Sequence, residues 1–224
     1  MGVREPMKAG MDSMGEQTVE QLAGADQGGQ GAAAKYVYLF SEGSREMADE
    51  LGGKGANLAE MTRMGIPVPP GFTISTETCR YYLDHGRAPA ELSTQMFAAL
   101  AELERARGKV LGDPDDPLLV SVRSGARFSM PGMMETVLDI GLNDASVNGL
   151  ARMAKNPLFA WDSYRRLIQM FGKTVLEIDG ELFESALERI KARAEVEADI
   201  DLDVAALQEL VAEYKSIVAS ATGA

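Results

Sequence analysis

Two short stretches carry residue types that could hold a polyanion. One is Gly52-Gly53-Lys54-Gly55; the other runs from Val120 to Asp139, with Arg123 near its start and Met130-Pro131-Gly132-Met133-Met134 in its middle. Each sets one cation beside glycine. In the first, the apolar helical spacing of Leu58, Met61 and Met64 begins just after Lys54. The lysine is therefore predicted just ahead of a helix N-terminus, where free backbone N–H groups and the helix dipole favour anions. In the second, Leu118 to Val122 reads as a short core strand that delivers Arg123 into Ser124-Gly125, a turn signal. The methionines that follow are flexible and apolar where a packed loop would favour polar turn residues, and such a segment can lie over a flat ligand. Taken singly, each piece has a plainer reading. An arginine after a strand is commonly a surface ion-pair partner, methionines fill irregular core gaps, and a GGKG run is a flexible surface turn. Nor is the lysine stretch a P-loop, since G-x-x-x-x-G-K-[ST] needs Gly where Ala48 stands and Ser or Thr where Gly55 stands.

The rest of the composition narrows the chemistry. A net charge of -12 over 224 residues argues against a nucleic-acid surface, so any phosphate bound must be held by a few local cations. One cysteine, Cys79, excludes an internal disulfide, and the single His85 excludes a histidine-cluster metal site. Cys79 reads as a small buried hydrophobe, with only His85 available to activate it. The acidic run from Glu195 to Asp203 lacks the glycine and spacing of a calcium loop and reads as a solvated connection. No window approaches a membrane span and no signal-peptide core is present. Residues 1 to 34 hold two basic against five acidic residues, the wrong balance for an Arg-rich transit peptide. A cytoplasmic protein without membrane or nucleic-acid partners is expected.

These residues need elements to position them. Gly24 to Ala34 is too poor in apolar side chains to offset ordering entropy, so residues 1–34 are expected to be a disordered head. Order is predicted from a strand over Tyr36 to Phe40, followed by a turn over Ser41 to Ser44. The helix after Lys54 should end at Gly65, as a left-handed C-cap, with Pro67 as the stop. A strand over Phe72 to Ile74 leads to a helix capped by Ser75 or Thr76 that runs through Leu83 to Gly86, with Cys79 and Tyr82 on one face. Leu92, Met96, Leu100 and Leu103 mark a helix over 90–107, and Thr136 to Ile140 is a further strand. The alternation predicts an α/β or α+β lobe over 35–142, with helices covering a sheet. Beyond it, 143–224 reads as helices only: one capped by Asn156-Pro157 and running to Gly172, one marked by Phe183, Leu187 and Ile190, and one from Val204 to Val218.

Five segments together closely resemble the N-terminal nucleotide-binding region of the pyruvate, phosphate dikinase family: Tyr36 to Phe40, LGGKGANLAEM (Leu51 to Met61), GIPVPPGFTI (Gly65 to Ile74), DPLLVSVRSGARFSMPGMMETVLDIGLND (Asp116 to Asp144) and NPLFAWDSYRRLIQMFG (Asn156 to Gly172). The run SMPGMM, Ser129 to Met134, separates this family from the related phosphoenolpyruvate synthases. The resemblance implies an α+β fold: an ATP-grasp-like N-terminal lobe with a mostly helical second subdomain. It implies ATP phosphates on Lys54 and Arg123, and Gly132, Met133 and Met134 beside the nucleotide. It also implies a phosphotransferase with paired acceptors, in which the β-phosphoryl group of ATP passes through a histidine to pyruvate while inorganic phosphate takes the γ-phosphoryl group. Family members act with magnesium and as homo-oligomers. On that comparison the chain is expected to stop short of the second nucleotide lobe, the magnesium ligands, the phosphohistidine domain and the pyruvate barrel. It should then carry no catalytic residue of its own, show no dikinase activity and bind ATP weakly. His85 does not lie in the family's phosphohistidine motif. The competing reading is a stand-alone, non-catalytic module that binds a nucleotide or a protein partner.

Overall fold

In the computed structural model, residues 34–124 and 136–223 are described. The first strand, β1 (Val37–Leu39), pairs antiparallel with β2 (Phe72–Ile74), with Val37 opposite Ile74 and Leu39 opposite Phe72. Between them lies helix α1 (Ala48–Arg63). Its end agrees with the sequence: Gly65 adopts φ 74°, and its N–H closes on Thr62 O at 3.0 Å. Helices α2 (Thr76–His85) and α3 (Ala90–Arg107) follow, each closed by a left-handed glycine, Gly86 and Gly108. Ser75 occupies the N-cap position of α2, but its side chain makes no cap; its Oγ faces Thr78 Oγ1 at 3.4 Å. Tyr36 and Val37 are buried with Ala99 of α3, and Leu51, Ala56 and Ala59 of α1 form a second small core.

Cys79 is exposed, against the expectation of a buried hydrophobe. The helix places Thr78 on its buried stripe, and the next residue is rotated by about 100°, so the phase of α2 outweighs the preference of the residue type.

The expected single sheet is not found among the described residues; there are three separate strand pairs. β3 (Val110–Leu111) pairs parallel with β4 (Pro117–Leu118), and β5 (Val120–Arg123) pairs antiparallel with β6 (Thr136–Ile140). The run read as one core strand, Leu118 to Val122, is thus split at Leu119. Leu118 is buried, whereas Ser121, Val122 and Arg123 are exposed. A shift of register between Val120 and Val122 turns the second half of the run away from the core.

Four α-helices follow among the described residues: α4 (Ser146–Ala154), α5 (Pro157–Thr174), α6 (Gly180–Ala194) and α7 (Val204–Thr222). The first of these was not anticipated, and α5 runs two residues past Gly172. Asn156 caps α5 as predicted, its side chain accepting from Phe159 N at 3.1 Å, and Asp203 caps α7 by accepting from Ala206 N at 2.8 Å. Helix α5 is the hub, with β6, α4, α6 and α7 all packed on it. On one side Phe183 and Tyr214 meet edge to face, with ring centroids 5.0 Å apart; on the other, Val147, Ala160, Leu167 and Val211 close a second core. The acidic run is more than a solvated connection. Asp199 bonds Arg165 at 3.2 Å and lies 3.4 Å from Lys191, and the nearly buried Arg165 also holds Asp162 at 2.8 Å. A buried guanidinium needs this pairing, because an unpaired charge there would be costly.

The main packing contacts fall into two groups. One joins β1, α1, β2, α2 and α3; the other joins β3 to β6 with α4 to α7. Glu104 of α3 bridges them in sequence, its Oε1 accepting from Leu111 N at 2.8 Å. The division drawn at 142/143 passes between β6 and α4, both of which pack on α5.

Candidate nucleotide-binding residues

Lys54 lies inside α1, whereas the sequence placed it just ahead of a helix. The difference is small in physical terms, because Gly52, at φ 67° and ψ 165°, interrupts the helix two residues earlier and a fresh helical run starts after it. Only glycine adopts that backbone readily. Gly55 has a separate reason: a Cβ there would sit 2.8 Å from Thr73 Cγ2, so α1 and β2 approach too closely for a side chain. Two of the three glycines around Lys54 therefore serve the fold, and the lysine is half-buried and in no ion pair among the described residues.

Arg123 ends β5, opposite Thr136 of β6, and is exposed. It too takes part in no ion pair among the described residues, so the plain reading of a surface salt-bridge partner finds no support there. Gly132, Met133 and Met134 lie outside the described residues. Lys54 and Arg123 belong to the two different packing groups, and no main packing contact joins the elements that carry them.

Asp139, also on this hairpin, adopts the left-handed φ of 59°. Burial pushes its carboxyl above the ordinary carboxylate range, and Arg166 pulls the other way. Because the folded state prefers the protonated form, ionisation of Asp139 destabilises it progressively as pH rises from the unfolded pKa through the folded one. Asp139→Asn removes the charge and keeps a side chain that tolerates left-handed backbone. A rise in melting temperature of about 2 °C is expected at pH 7, shrinking as pH falls through the carboxylate range. Equal gains at pH 7 and pH 3.5 would show that the charge plays no part.

The sequence reading missed a polar cluster beside an open apolar groove of about 530 Å³ between β6, α5 and α7. Tyr164 Oη donates to Asp144 Oδ1 at 3.0 Å, and Lys215 Nζ donates to Asp144 Oδ2 at 2.6 Å. The lysine bond is the main reason the Asp144 carboxyl lies below its ordinary range, whereas burial first and Asp144 second raise the Tyr164 phenol. Nothing in the spacing of residues 144, 164 and 215 announces this cluster, since the three are brought together only by packing. The turn before α4 left a clearer signal: Asn143, three residues ahead of Ser146, has the spacing of a side-chain cap. Its Oδ1 accepts from Ala145 N at 2.9 Å and Ser146 N at 2.8 Å. Among the described residues no group of three or more His, Cys, Asp or Glu side chains could hold a metal ion, and no helix is long and apolar enough to cross a membrane.

Residues 48–110, which carry Lys54, match the family described as pyruvate phosphate dikinase, AMP/ATP-binding domain. Over a longer stretch the chain is 51% identical across 195 residues to pyruvate, phosphate dikinase of Rhizobium meliloti (strain 1021), covering 85% of this chain and 22% of that protein. It is 50% identical across 185 residues to the Clostridium symbiosum pyruvate, phosphate dikinase, covering 82% of this chain and 21% of that protein. It is 51% identical across 194 residues to the chloroplastic pyruvate, phosphate dikinase 1 of Zea mays, covering 84% of this chain and 20% of that protein. The chain thus spans about a fifth of the length of the curated relatives it matches. The resemblance drawn from the five segments is borne out.

Proposed function

Taking the chain as the nucleotide-binding region of the pyruvate, phosphate dikinase family, we propose that it binds ATP with Lys54 and Arg123 on the phosphates and Gly132, Met133 and Met134 beside the nucleotide. The match of residues 48–110 to an AMP/ATP-binding domain carries this reading. Two cations outside any ion pair among the described residues support it, since a phosphate contact is strongest where the cation is not already neutralised. A lysine in the first turn after a helix break adds its charge to the partial positive charge of a helix start. An arginine on an exposed strand end offers a planar fork suited to two phosphate oxygens.

The ATP-grasp-like lobe and the division into 35–142 and 143–224 belong to the same proposal. So does the reaction of a complete enzyme: ATP, pyruvate and phosphate giving AMP, phosphoenolpyruvate and diphosphate, in a homo-oligomer. Magnesium, when bound with ATP, would neutralise phosphate charge. The part proposed for Lys54 and Arg123 is to bind and orient the nucleotide. A polypeptide of these 224 residues is expected to bind ATP weakly and to turn over no pyruvate, because two cations in separate packing groups neutralise only part of a triphosphate.

The test is an ATP titration followed by amide chemical shifts. Saturable shifts centred on Gly53 to Gly55 and on Ser121 to Arg123, reversed by excess AMP, are expected. Shifts confined to the groove between α5 and α7 would point to another ligand and another function.

A further inference from the structure

Arg123 is the last residue of β5 in the arm formed by β5 and β6. Beyond the register shift at Val120/Val122 the residues of β5 are exposed, Val122 by 54%, so β5 itself has no core to hold it. The arm is anchored through β6, where Val137 is buried against the helices at 4% exposure, and through the turn that follows at its root.

That turn is tightly knit. Ser146, with no exposed surface, donates from Oγ to Gly141 O at 2.9 Å and accepts from Asn143 N at 2.8 Å. Asn143 closes the start of α4 through Ala145 N and Ser146 N, and its Nδ2 reaches Gly112 O at 3.4 Å. Gly141 lies at φ 119°, and a Cβ there would sit 2.2 Å from Leu118 O, the residue just before the arm begins. The root is therefore pressed against Leu118 on one side and tied to α4 on the other.

We propose that Ser146 and Asn143 are positioning residues for Arg123, acting through the root of the β5–β6 arm. This rests on the reading of Arg123 as a phosphate contact. The lever is simple. Three residues of strand separate Val120 from Arg123, about 10 Å, so a tilt of about 10° at the root displaces Arg123 by roughly 2 Å. Displacements of that order are enough to lose a directed contact with a phosphate, as misplacement by about 1 Å does for reacting groups. A hydroxyl buried at the root can thus affect nucleotide binding without touching the nucleotide.

A double-mutant cycle on the 224-residue chain, read as the Kd for ATP, tests this. Ser146→Ala is expected to weaken ATP binding about fivefold in the parent and to have little further effect once Arg123 is alanine, because a misplaced contact and a missing one are the same loss. Asn143→Ala should behave likewise, and it supplies the cycle if Ser146→Ala fails to fold. Asn143→Asp, which keeps the acceptor for Ala145 N and Ser146 N, should restore binding to near the parent value. The same factor in both Arg123 backgrounds, or no change from either root variant, would overturn the positioning role. No effect of Arg123→Ala itself would instead remove the phosphate-contact reading, and this proposal with it.

Discussion

Truncating Phe183 to alanine should lower stability by about 3 to 5 kcal/mol, the usual cost of emptying a fully buried aromatic site. The ring is wholly buried, meets Tyr214 edge to face at 5.0 Å and sits in the core shared by α5, α6 and α7. The more discriminating result concerns its neighbour. A Cβ on Gly172 would lie 2.5 Å from Phe183 Cζ, so Gly172→Ala should destabilise the parent by about 1 to 3 kcal/mol through overpacking. In the Phe183→Ala background the same change should stabilise. The clash is gone, the methyl group partly fills the cavity, and alanine is better than glycine in a helix interior by about 1 kcal/mol. Urea unfolding of the four proteins measures this directly. A Gly172→Ala effect of the same sign and size in both backgrounds would mean that the glycine answers to helix conformation alone, not to the ring.

This pair also shows what the sequence could and could not convey. Gly172 was read as the end of α5, a sound inference from glycine near the end of an apolar run, yet the helix continues to Thr174 and the glycine exists for Phe183. The same holds for the lysine motif. The spacing of Leu58, Met61 and Met64 correctly placed a helix here, because periodicity is local, although Lys54 lies inside it and not ahead of it. That Gly55 is there for Thr73 could not be seen, because close approach is a property of two segments 18 residues apart in the chain. Helix ends were legible at Gly65, Gly86, Gly108 and Asn156, where a single residue type answers a single backbone need.

Two readings went wrong for a shared reason. Leu118 to Val122 has the composition of a core strand, and Cys79 has that of a buried side chain, but composition does not fix phase. A shift of register in the hairpin and one step of helix rotation decided which residues faced inward. Arg165 is the converse case. Its sequence neighbour Arg166 is the same residue type and lies exposed, while Arg165 is buried and paired with Asp162 and Asp199. Packing, not residue type, distinguishes them: Arg165 faces Asp199 and the buried Tyr214.

The largest functional effect expected is at the two cations taken together. Lys54→Ala and Arg123→Ala should each weaken ATP binding by about 10- to 100-fold, corresponding to the roughly 1.5 to 3 kcal/mol of a hydrogen bond to a charged group. The arginine should lie at the upper end, because its fork binds two oxygens, whereas the lysine acts as a point charge whose loss the neighbouring helix N-terminus partly offsets. The double variant carries the decisive information. If both side chains hold one triphosphate, each fixes the nucleotide for the other, and removing both should cost less than the sum of the single losses by 0.5 kcal/mol or more, about the smallest coupling a cycle resolves. If they bind separate anions, the losses should add. The distinction matters because Lys54 belongs to the group of β1 and α1, and Arg123 to the group built on α5. Coupling measured through ATP would mean that the nucleotide itself joins the two groups. Strict additivity would instead leave each cation with its own anion and remove the shared site proposed for them.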